Sequence, residues 1–330
     1  MEHTRLGRTG LKVSRLCLGT MTFGYQCDES ASFAIMDRAA DAGITFLDTA
    51  DVYPLGAPRE VVGRTEEIVG RWLQGRRQDY ILATKCFGRT GPNQWDMGAS
   101  RKHILDAVDA SLRRLQTDYI DLYQLHGFDP DTPMDETLRA LEDVVRSGKV
   151  RYVGCSNWLS YQLARAIGRS EAMGIVRMDS VQPRYNLLFR EIERELLPLC
   201  DGDGVGVIPY NPIAGGLLSG KHNRDEGPEE GSRFTLGSAG PRYQDRYWHE
   251  GMFETVEQLR PLAAGAGMSL VQMSVAWVLA NPTITAPIIG ASRPEQLDDS
   301  IAALETPLPP DLKQQLDDLT AAYRRGDSPR

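Results

Sequence analysis

The sequence predicts an α/β fold: a closed (β/α)8 barrel, or TIM barrel, with an N-terminal β-hairpin and a long excursion after the seventh barrel strand. Eight short apolar or β-branched segments alternate along the chain with eight amphipathic segments. Several of the short segments are apolar almost throughout, as strands are when both faces of a parallel sheet are covered. The length of 330 residues also suits one such barrel. An open, doubly wound sheet is the alternative that this pattern leaves open.

The hairpin and the barrel strands are predicted from short apolar runs between turn residues. Residues 4–14 carry apolar side chains on either side of the turn from Gly7 to Gly10, which predicts the hairpin. The predicted barrel strands are residues 15–20, 45–50, 80–85, 120–126, 150–156, 180–185, 204–210 and 285–290.

Helices are predicted between these strands from apolar residues at helical spacing and from signals at the helix ends. Ser30 begins the first helix, which ends before Gly43, and Ser100 begins the third. Pro133 takes the first helical position of the fourth helix, which ends before Gly148. The predicted helices are residues 30–42, 59–73, 100–115, 133–147, 160–169, 190–200, 269–281 and 294–304.

Residues 221–250 interrupt the alternation of strands and helices. The segment is polar, rich in glycine and longer than an ordinary loop, so we predict a functional excursion there. No change of composition and no Pro/Gly-rich linker divides the chain. We therefore predict one domain over residues 1–330.

The composition excludes several classes of protein. With 41% hydrophobic residues the chain can bury a full core, which excludes disorder over most of its length. A formal net charge of −8 disfavours nucleic acid and anionic membranes as partners. No apolar run approaches 18 residues, and the first ten residues lack the apolar region of a secretory signal.

The cysteine and histidine residues are scattered. The five cysteines are Cys17, Cys27, Cys86, Cys155 and Cys200, and no two are spaced as CxxC, so we expect reduced thiols. The five histidines lack metal-ligand spacing, so we expect no metal site. These patterns together lead us to expect a cytoplasmic protein.

Polar side chains follow the ends of the predicted barrel strands. Asp48 ends the second strand, Tyr53 follows five residues later, Lys85 ends the third strand and His126 ends the fourth. Reactive groups in a barrel of this type collect at the carboxyl ends of the strands. We therefore expect these four side chains to share one pocket.

A tyrosine, lysine, aspartate and histidine in one pocket suit the reduction of a carbonyl group. A phenol has a pKa near 10, and a neighbouring ammonium group lowers that pKa, which makes the phenol a better proton donor. A carboxylate holds the ammonium group in place, and a neutral imidazole can donate a hydrogen bond to the carbonyl oxygen.

Each residue also has an ordinary structural interpretation. Tyr53 could pack with its hydroxyl in water, His126 could be structural, and Lys85 could extend to the surface. Asp48 could cap a turn or helix, and we predict that role for Asp51. Four such residues on three successive strand ends favour the catalytic interpretation.

An ordered set of motifs gives the chain a family resemblance over nearly its whole length. The sequence resembles the aldo-keto reductase superfamily, in its short-loop bacterial type, which is related to potassium-channel β subunits and deoxysugar ketoreductases. The motifs are LGRTGLKVSRLCLGTMTFG, FLDTADVY, ILATK, IDLYQLH, VRYVGCSN, VQPRYN, VIPYNPIAGGLLSGK and PIIGASRPEQLDDS. The resemblance implies a (β/α)8 barrel and NADPH-dependent reduction of aldehydes and ketones. It implies Tyr53 as proton donor, Lys85 as its activator, Asp48 as the partner of Lys85, and His126 as the residue that orients the carbonyl.

The usual nucleotide-binding motifs are not matched. GDGVGV at residues 202–207 precedes a predicted strand instead of following one, so we interpret it as a turn. GGLLSGK at residues 215–221 nearly matches a P-loop, but His222 stands where a magnesium-binding Ser or Thr is needed.

The family resemblance implies a different cofactor site, with NADPH/NADP+ extended across the rim of the barrel. It implies that Ser156, Asn157 and Gln182 bind the carboxamide and that Tyr210 stacks on the nicotinamide. It implies that backbone N–H groups of residues 211–221 hold the pyrophosphate, and that Ser292 and Arg293 bind the 2′-phosphate. The implied cofactor residues are Gly19, Thr20, Met21, Ser156, Asn157, Gln182, Tyr210, Asn211, Pro212, Ala214, Gly215, Leu217, Gly220, Lys221, Gly290, Ser292, Arg293, Gln296, Asp299 and Ser300. The chain departs from the family pattern at Asn211 and at Asp299–Ser300.

We expect the substrate to be a small molecule with a carbonyl group, and more than one class of such molecules fits the sequence. We expect the walls of its pocket to come from Met21, Phe23, Tyr53, Phe87 and Trp95, together with the excursion. A nucleotide-linked keto-sugar and a broad range of aldehydes are both compatible with these walls. Three arginines of the excursion suggest a cover for an anionic substrate, with an exposed charged loop as the alternative. They are Arg233, Arg242 and Arg246.

A second functional class is a cofactor-binding regulatory subunit with little turnover, like the potassium-channel β subunits. The sequence shows no extended N-terminal arm, which argues against this class. The oligomeric state is left open, a homo-oligomer included.

Overall fold

Eight parallel strands form one sheet in the computed structural model, which describes residues 1–325. The predicted hairpin precedes them as two antiparallel strands, β1 (His3–Arg5) and β2 (Lys12–Ser14). The strands of the sheet are β3 (Cys17–Gly19), β4 (Phe46–Asp48), β5 (Ile81–Cys86), β6 (Ile120–Leu125), β7 (Val150–Ser156), β8 (Ser180–Gln182), β9 (Gly206–Val207) and β10 (Ile288–Ile289). Each strand from β3 to β9 pairs with the next along the chain, and β10 pairs with β3. Residues 326–330 of the predicted domain lie outside the described residues.

Backbone hydrogen bonds close this sheet into a barrel. The N–H of Thr285 donates to the carbonyl oxygen of Val207 at 2.8 Å, and the N–H of Ile288 donates to that of Pro209 at 2.8 Å. These bonds join the segment that carries β10 to β9, so the two ends of the strand order meet. The predicted closed barrel is confirmed, and the open sheet is excluded because its edge strands would stay unpaired.

Every predicted strand segment corresponds to one observed strand. β5 extends one residue past its predicted end, to Cys86, and most of the other strands are shorter than predicted. β8 ends at Gln182 because the next residue, Pro183, has no N–H group to donate to a neighbouring strand. The apolar runs therefore locate the strands well but not their ends.

Helices cover the outside of the barrel, and their caps explain most of the differences from the prediction. The carboxylate of Asp28, and not Ser30, caps the first helix by accepting from the N–H of Ala31 at 2.8 Å. Ser100 caps the third helix as predicted, whereas Pro133 is the extended N-cap of the fourth and not its first helical residue. The helices are α1 (Glu29–Asp41), α2 (Arg64–Trp72), α3 (Arg101–Leu115), α4 (Met134–Arg146), α5 (Ser160–Met173), α6 (Leu196–Asp203), α7 (Gly240–Tyr247), α8 (Glu250–Gly265), α9 (Leu270–Leu279), α10 (Asp298–Glu305) and α11 (Pro310–Leu319).

Three predicted helices are broken into a short 3-10 turn and an α-helix. In the second, residues 59–61 form the turn and Gly63, with a φ of 88°, separates it from α2. The predicted helices 190–200 and 294–304 are divided in the same way ahead of α6 and α10. The prediction of 160–169 was too short, since α5 continues to Met173.

The prediction missed α8 and α11, and it gave no helix within the excursion, where α7 lies. Pro261 lies inside α8, and a proline normally ends a helix pattern. Met252, Val256 and Leu259 nevertheless lie buried at helical spacing, so the signal for α8 was present in the sequence.

The hairpin closes the N-terminal end of the barrel. Leu6 in its turn is fully buried, and the N–H of Arg8 donates to the carbonyl oxygen of Gly204, just before β9. The hairpin contributes Leu6 and Val13 to the cluster that fills the barrel, so the C-terminal end is left for a site. That cluster comprises Leu6, Val13, Cys17, Phe46, Ala83, Leu122, Ile208, Ala286 and Ile288.

Replacing Leu6 by alanine is expected to lower the free energy of unfolding by about 3 kcal/mol, because the barrel interior cannot collapse around the lost methyl groups. Urea denaturation followed by circular dichroism measures this change. The control is Leu159→Ala, at a side chain that is 60% exposed, which should change stability by less than about 0.5 kcal/mol. Equal effects of the two substitutions would show that the hairpin does not seal the barrel.

The excursion is folded against the C-terminal end of the barrel. It contains two 3-10 turns and α7, and its Phe234 is fully buried against Trp248, with 4.9 Å between ring centroids. The N–H of Ser238 donates to the carbonyl oxygen of Gly56, in the loop after β4. The excursion predicted after the seventh barrel strand therefore covers the loops that follow the strands.

Two further properties concern the chain as a whole. All five cysteines are buried and form no disulfide bond. In residues 1–325 no single helix is long and apolar enough to cross a membrane, and α8 and α9 pass this test only as a pair bent by 88°.

Candidate active site

A cavity of about 650 Å³ lies at the C-terminal end of the barrel, beneath the excursion. Residues at or after the ends of β3, β4, β6, β7, β8, β9 and β10 line it. These residues are Gly19, Thr20, Asp48, Tyr53, His126, Ser156, Asn157, Gln182, Tyr210 and Gly290. Of the four residues expected to share one pocket, Asp48, Tyr53 and His126 line this cavity, whereas Lys85 is fully buried and is not part of its wall.

Lys85 and Asp48 form a buried ion pair at the floor of this cavity. The Nζ atom of Lys85 lies 2.5 Å from Oδ2 of Asp48, and it also donates to the carbonyl oxygen of Thr49 at 2.7 Å. The pairing of β4 with β5 sets Asp48 beside Ala83, so Lys85, two residues on, points to the same side of the sheet. Lys85 is fully buried, which excludes the interpretation that it extends to the surface.

Two glutamine side chains hold the other oxygen of Asp48. Gln182 Nε2 donates to Oδ1 of Asp48 at 2.8 Å, and Gln124 Nε2 donates to the same atom at 3.1 Å. Sequence reasoning missed Gln124 altogether and assigned Gln182 only to the cofactor. A signal for Gln124 was present, because it is a polar residue between the apolar Tyr123 and Leu125 and lies two positions before His126.

Tyr53 lies between the ion pair and His126. The Nζ atom of Lys85 is 5.0 Å from the centroid of the Tyr53 ring, and the Tyr53 and His126 ring centroids are 5.7 Å apart in a T-shaped arrangement. Burial raises the pKa of Tyr53 to about 12, although the Lys85 ammonium group lowers it. We predicted a net lowering, which was wrong because burial outweighs the cation. The phenol is therefore fully protonated at neutral pH.

The charge states of Lys85 and His126 also follow from the balance between burial and nearby charges. Burial lowers the pKa of Lys85, but Asp48 and Tyr53 raise it by more, so the pKa is raised overall and the ammonium form is kept. Burial, followed by the charges of Lys85 and Arg242, lowers the pKa of His126 well below its usual value. The site thus combines a neutral phenol, a neutral imidazole and a paired ammonium group.

We predicted that Asp51 caps a turn or a helix, and this prediction is wrong. The Asp51 carboxylate is fully buried, and within residues 1–325 neither of its oxygens has a hydrogen-bond partner. Burial is the main cause that raises the pKa of Asp51 well above its ordinary value, and the negative charge of Glu66 raises it further. Asp51 belongs to the support behind the site, since its N–H donates to the carbonyl oxygen of Lys85.

The residues that the family resemblance assigned to the cofactor lie mostly on the wall of the same cavity. Asn157 and Tyr210 are joined by a hydrogen bond of 2.7 Å, and Ser156 donates to the carbonyl oxygen of Gln182 at 2.8 Å. The assigned residues on the wall are Gly19, Thr20, Met21, Ser156, Asn157, Gln182, Tyr210, Asn211, Pro212, Gly215, Lys221, Gly290, Ser292, Arg293, Gln296, Asp299 and Ser300. Ala214, Leu217 and Gly220 lie off the wall, and the first two are buried in the core.

The wall suits an elongated polyanion such as a dinucleotide. Gly215 and Gly216 have φ values of 68° and 105°, which glycine favours, and their backbone borders the cavity. Asn211 Nδ2 and Arg233 Nη1, both on residues of the wall, are buried without a hydrogen-bond partner among the described residues. The cations on the wall are Lys221, Arg233, Arg242, Arg246 and Arg293, whereas its carboxylates in the described chain are Asp48 and Asp299.

Three residues predicted to line the substrate pocket lie elsewhere in the structure. Phe23 is fully buried in the core, Phe87 packs against Gly127, and Trp95 is 52% exposed beneath Lys102. Residues of the excursion and of the loop after β4 take their place on the wall. They are Leu55, Arg233, Arg242, Tyr243 and Arg246. Sequence position alone gave no sign of which aromatic residues face the cavity.

Within residues 1–325 no group of three or more His, Cys, Asp or Glu side chains could hold a metal ion.

Comparisons with known proteins place the chain in a family. The family model described as "Aldo/keto reductase family" matches residues 15–321. "Uncharacterized oxidoreductase YrpG" of Bacillus subtilis (strain 168) is 42% identical, over 97% of this chain and 96% of its own length. "Probable voltage-gated potassium channel subunit beta" of Arabidopsis thaliana is 37% identical, over 92% of each chain. "Versiconal hemiacetal acetate reductase" of Aspergillus parasiticus is 33% identical, over 96% of each chain.

Proposed function

This chain belongs to the aldo/keto reductase family, and we propose that it reduces an aldehyde or a ketone to the alcohol with NADPH as the reductant. The observation that carries the proposal is the group formed by Tyr53, the Lys85–Asp48 ion pair and His126 at one cavity. The oxidoreductase class follows from the family. NADPH as the cofactor, the roles of these residues and the nature of the substrate are the proposal.

Tyr53 acts as the proton donor to the carbonyl oxygen. When bound, NADPH supplies the hydride that reduces the carbonyl carbon. With a pKa raised to about 12, the Tyr53 phenol is still a stronger acid than the alcohol product, so proton transfer to the developing alkoxide is downhill. The Lys85 ammonium group stabilises the phenolate that remains, and Asp48 holds Lys85 in position.

His126 orients the carbonyl group before the proton moves. Its lowered pKa keeps the imidazole neutral, so a ring N–H can donate to the carbonyl oxygen without itself giving up a proton. The T-shaped contact with Tyr53 sets the imidazole beside the phenol, so that both can meet one oxygen atom.

The wall of the cavity suggests which residues would hold the cofactor. Tyr210 would face the nicotinamide, and Gly215, Gly216 and Lys221 would border the pyrophosphate. Arg293 is exposed on the wall and has no carboxylate partner within residues 1–325, so its guanidinium group is available to a 2′-phosphate.

Replacing Arg293 by alanine is expected to weaken NADPH binding about tenfold, equivalent to about 1.4 kcal/mol, because one charge-assisted contact is lost. NADH lacks the 2′-phosphate, so its affinity should change by less than twofold. Titration of protein fluorescence gives both dissociation constants. Equal weakening for NADPH and NADH would exclude Arg293 as the residue that recognises the 2′-phosphate.

The proposal is tested directly by mixing the protein with NADPH and a panel of aldehydes and ketones in a stopped-flow instrument. Sustained oxidation of NADPH, at a rate that depends on the carbonyl compound, supports the reductase. A nucleotide-linked keto-sugar belongs in the panel beside simple aldehydes, since the cationic wall is compatible with both.

A regulatory subunit that binds the cofactor with little turnover is the second candidate. The relative of 37% identity whose name is that of a potassium-channel β subunit favours it. Cofactor that stays bound through repeated washing, with at most one turnover and no steady-state rate on any carbonyl compound, would support this candidate instead.

A further inference from the structure

Two arginines of the excursion face the catalytic end of the cavity. We propose that Arg242 and Arg246 form a subsite for an oxyanion, a carboxylate or phosphate group, that the carbonyl substrate itself carries. This inference rests on the proposed function, because it names a substrate class for the same cavity. With this subsite, Arg242 and Arg246 make the protein prefer anionic to neutral carbonyl compounds.

Helix α7 fixes the direction of both side chains. Arg242 and Arg246 are four residues apart, so they share one face of the helix, and both line the cavity that contains Tyr53 and His126. On the adjacent face Tyr243 and Tyr247 are 3% and 0% exposed, and Tyr243 borders the cavity beside the arginines. The Tyr247 hydroxyl accepts a hydrogen bond from Asn186 at 3.0 Å. The buried tyrosines therefore hold the arginines over the site.

The positive charge of the two arginines is not neutralised by the protein. Within residues 1–325 no carboxylate lies at ion-pair distance from either guanidinium group. Like charges at this spacing destabilise a helix by a few tenths of a kcal/mol. Two unpaired cations on a cavity wall are the arrangement that an anionic ligand would complete.

The position of the pair assigns the anion to the substrate and not to the cofactor. Arg242 lines the cavity together with Tyr53 and His126, and its charge adds, after burial and the charge of Lys85, to the lowering of the His126 pKa. Arg246 lies beside the Tyr210 hydroxyl. The residues that suit the cofactor phosphates, Lys221 and Arg293, lie elsewhere on the wall.

A second cavity gives room for the rest of such a substrate. It has a volume of about 930 Å³ and shares Asn157, Tyr210 and Arg246 with the first cavity. Arg246 thus stands where the two cavities meet. The charged residues that line the second cavity besides Arg246 are Arg184, Arg194, Arg324, Arg325, Glu191 and Glu195, so cations outnumber carboxylates there too. A substrate larger than a simple aldehyde can place its anion between the two arginines and extend outward.

A pair of isosteric aldehydes tests the subsite. The probes are para-formylbenzoate, which carries a carboxylate, and para-formylbenzamide, which is neutral and has the same shape. In the double variant Arg242→Gln/Arg246→Gln, the ratio of kcat/KM for the benzoate to that for the benzamide should fall roughly ten- to hundredfold. Using the ratio also cancels any effect that loss of Arg242 has through His126. The control is Arg165→Gln on α5, which removes one positive charge from an exposed arginine away from both cavities and should keep the native ratio.

The outcomes separate failure of this inference from failure of the proposed function. Reduction of both aldehydes with an unchanged ratio in the double variant overturns the subsite and leaves the reductase standing. If the native protein reduces no member of the carbonyl panel, the proposed function fails. Whenever neither of these two aldehydes is reduced, calorimetric titration of the NADP+-loaded protein with terephthalate and terephthalamide tests the subsite alone. Tighter binding of terephthalate that the double variant loses supports the subsite, and equal binding of the two compounds overturns it.

Discussion

Replacing Tyr53 by phenylalanine is expected to lower kcat by roughly 10²–10⁴-fold, because the substitution removes the only proton that the proposed mechanism delivers to the carbonyl oxygen. The ring itself is retained, so its contacts with Lys85 and with His126 should survive. NADPH affinity and the melting temperature are therefore expected to stay close to those of the native protein. Steady-state oxidation of NADPH gives kcat, and fluorescence titration gives the affinity.

Tyr161→Phe is the matched control for this substitution. Tyr161 lies on α5 with 61% of its side chain exposed, so loss of its hydroxyl group should leave kcat unchanged. If the Tyr53 variant keeps more than about a third of the native kcat, another group must donate the proton, and the assignment of Tyr53 is wrong. A large fall in NADPH affinity would contradict it too, since the loss of turnover would then come from binding.

The fold could be predicted from the sequence because its main signals are local. The eight apolar segments and the spacing of residues between them contain the strands and most of the helices of the barrel. Closure could not be derived in this way, because it depends on bonds between residues such as Val207 and Thr285 that are distant in sequence. The predicted ends of the strands and helices also differ in part from the observed ends. Ser100 caps its helix as expected, whereas Asp28 and not Ser30 caps the first.

The residues of the candidate site could likewise be predicted only in part. Asp48, Lys85 and His126 could be located from their positions at strand ends, because parallel strands bring their carboxyl ends to one rim. The residues of the wall that faces them could not be located from the sequence. Many of them belong to the long excursion, and its packing depends on buried residues such as Phe234. For this reason Phe23 and other nearby aromatic residues were assigned to the pocket although they lie elsewhere.

The direction of the Tyr53 pKa shows why the electrostatics required the structure. The sequence indicates which charge stands beside the phenol, and Lys85 acts on it in the expected direction. The degree of burial is a tertiary property, and here it is the larger cause. The correction leaves the role of Tyr53 as proton donor intact and changes only the strength of the acid.

The ion pair beneath Tyr53 leads to the second large effect. Replacing Lys85 by methionine is expected to lower the free energy of unfolding by about 3–5 kcal/mol, because Asp48 is left as a buried charge without its cation. Methionine fills a similar unbranched volume, so loss of packing is small. The hydrogen bonds from Gln124 and Gln182 to Asp48 remain but supply no net charge. Urea denaturation measures the change, and NADPH oxidation should show a loss of kcat at least as large as that of Tyr53→Phe.

Two comparisons separate the buried charge from other causes. Lys102→Met removes a lysine from an exposed ion pair with Asp106 on α3, and it should cost less than about 1 kcal/mol. The double variant Lys85→Met/Asp48→Asn removes both charges and should recover part of the lost stability without recovering kcat. If the double variant recovers stability but not kcat, catalysis requires the positive charge of Lys85. The fold then requires only that the buried charges of Lys85 and Asp48 cancel. A single variant as stable as the native protein would instead mean that water reaches Asp48, and the buried pair could not then be what stabilises the Tyr53 phenolate.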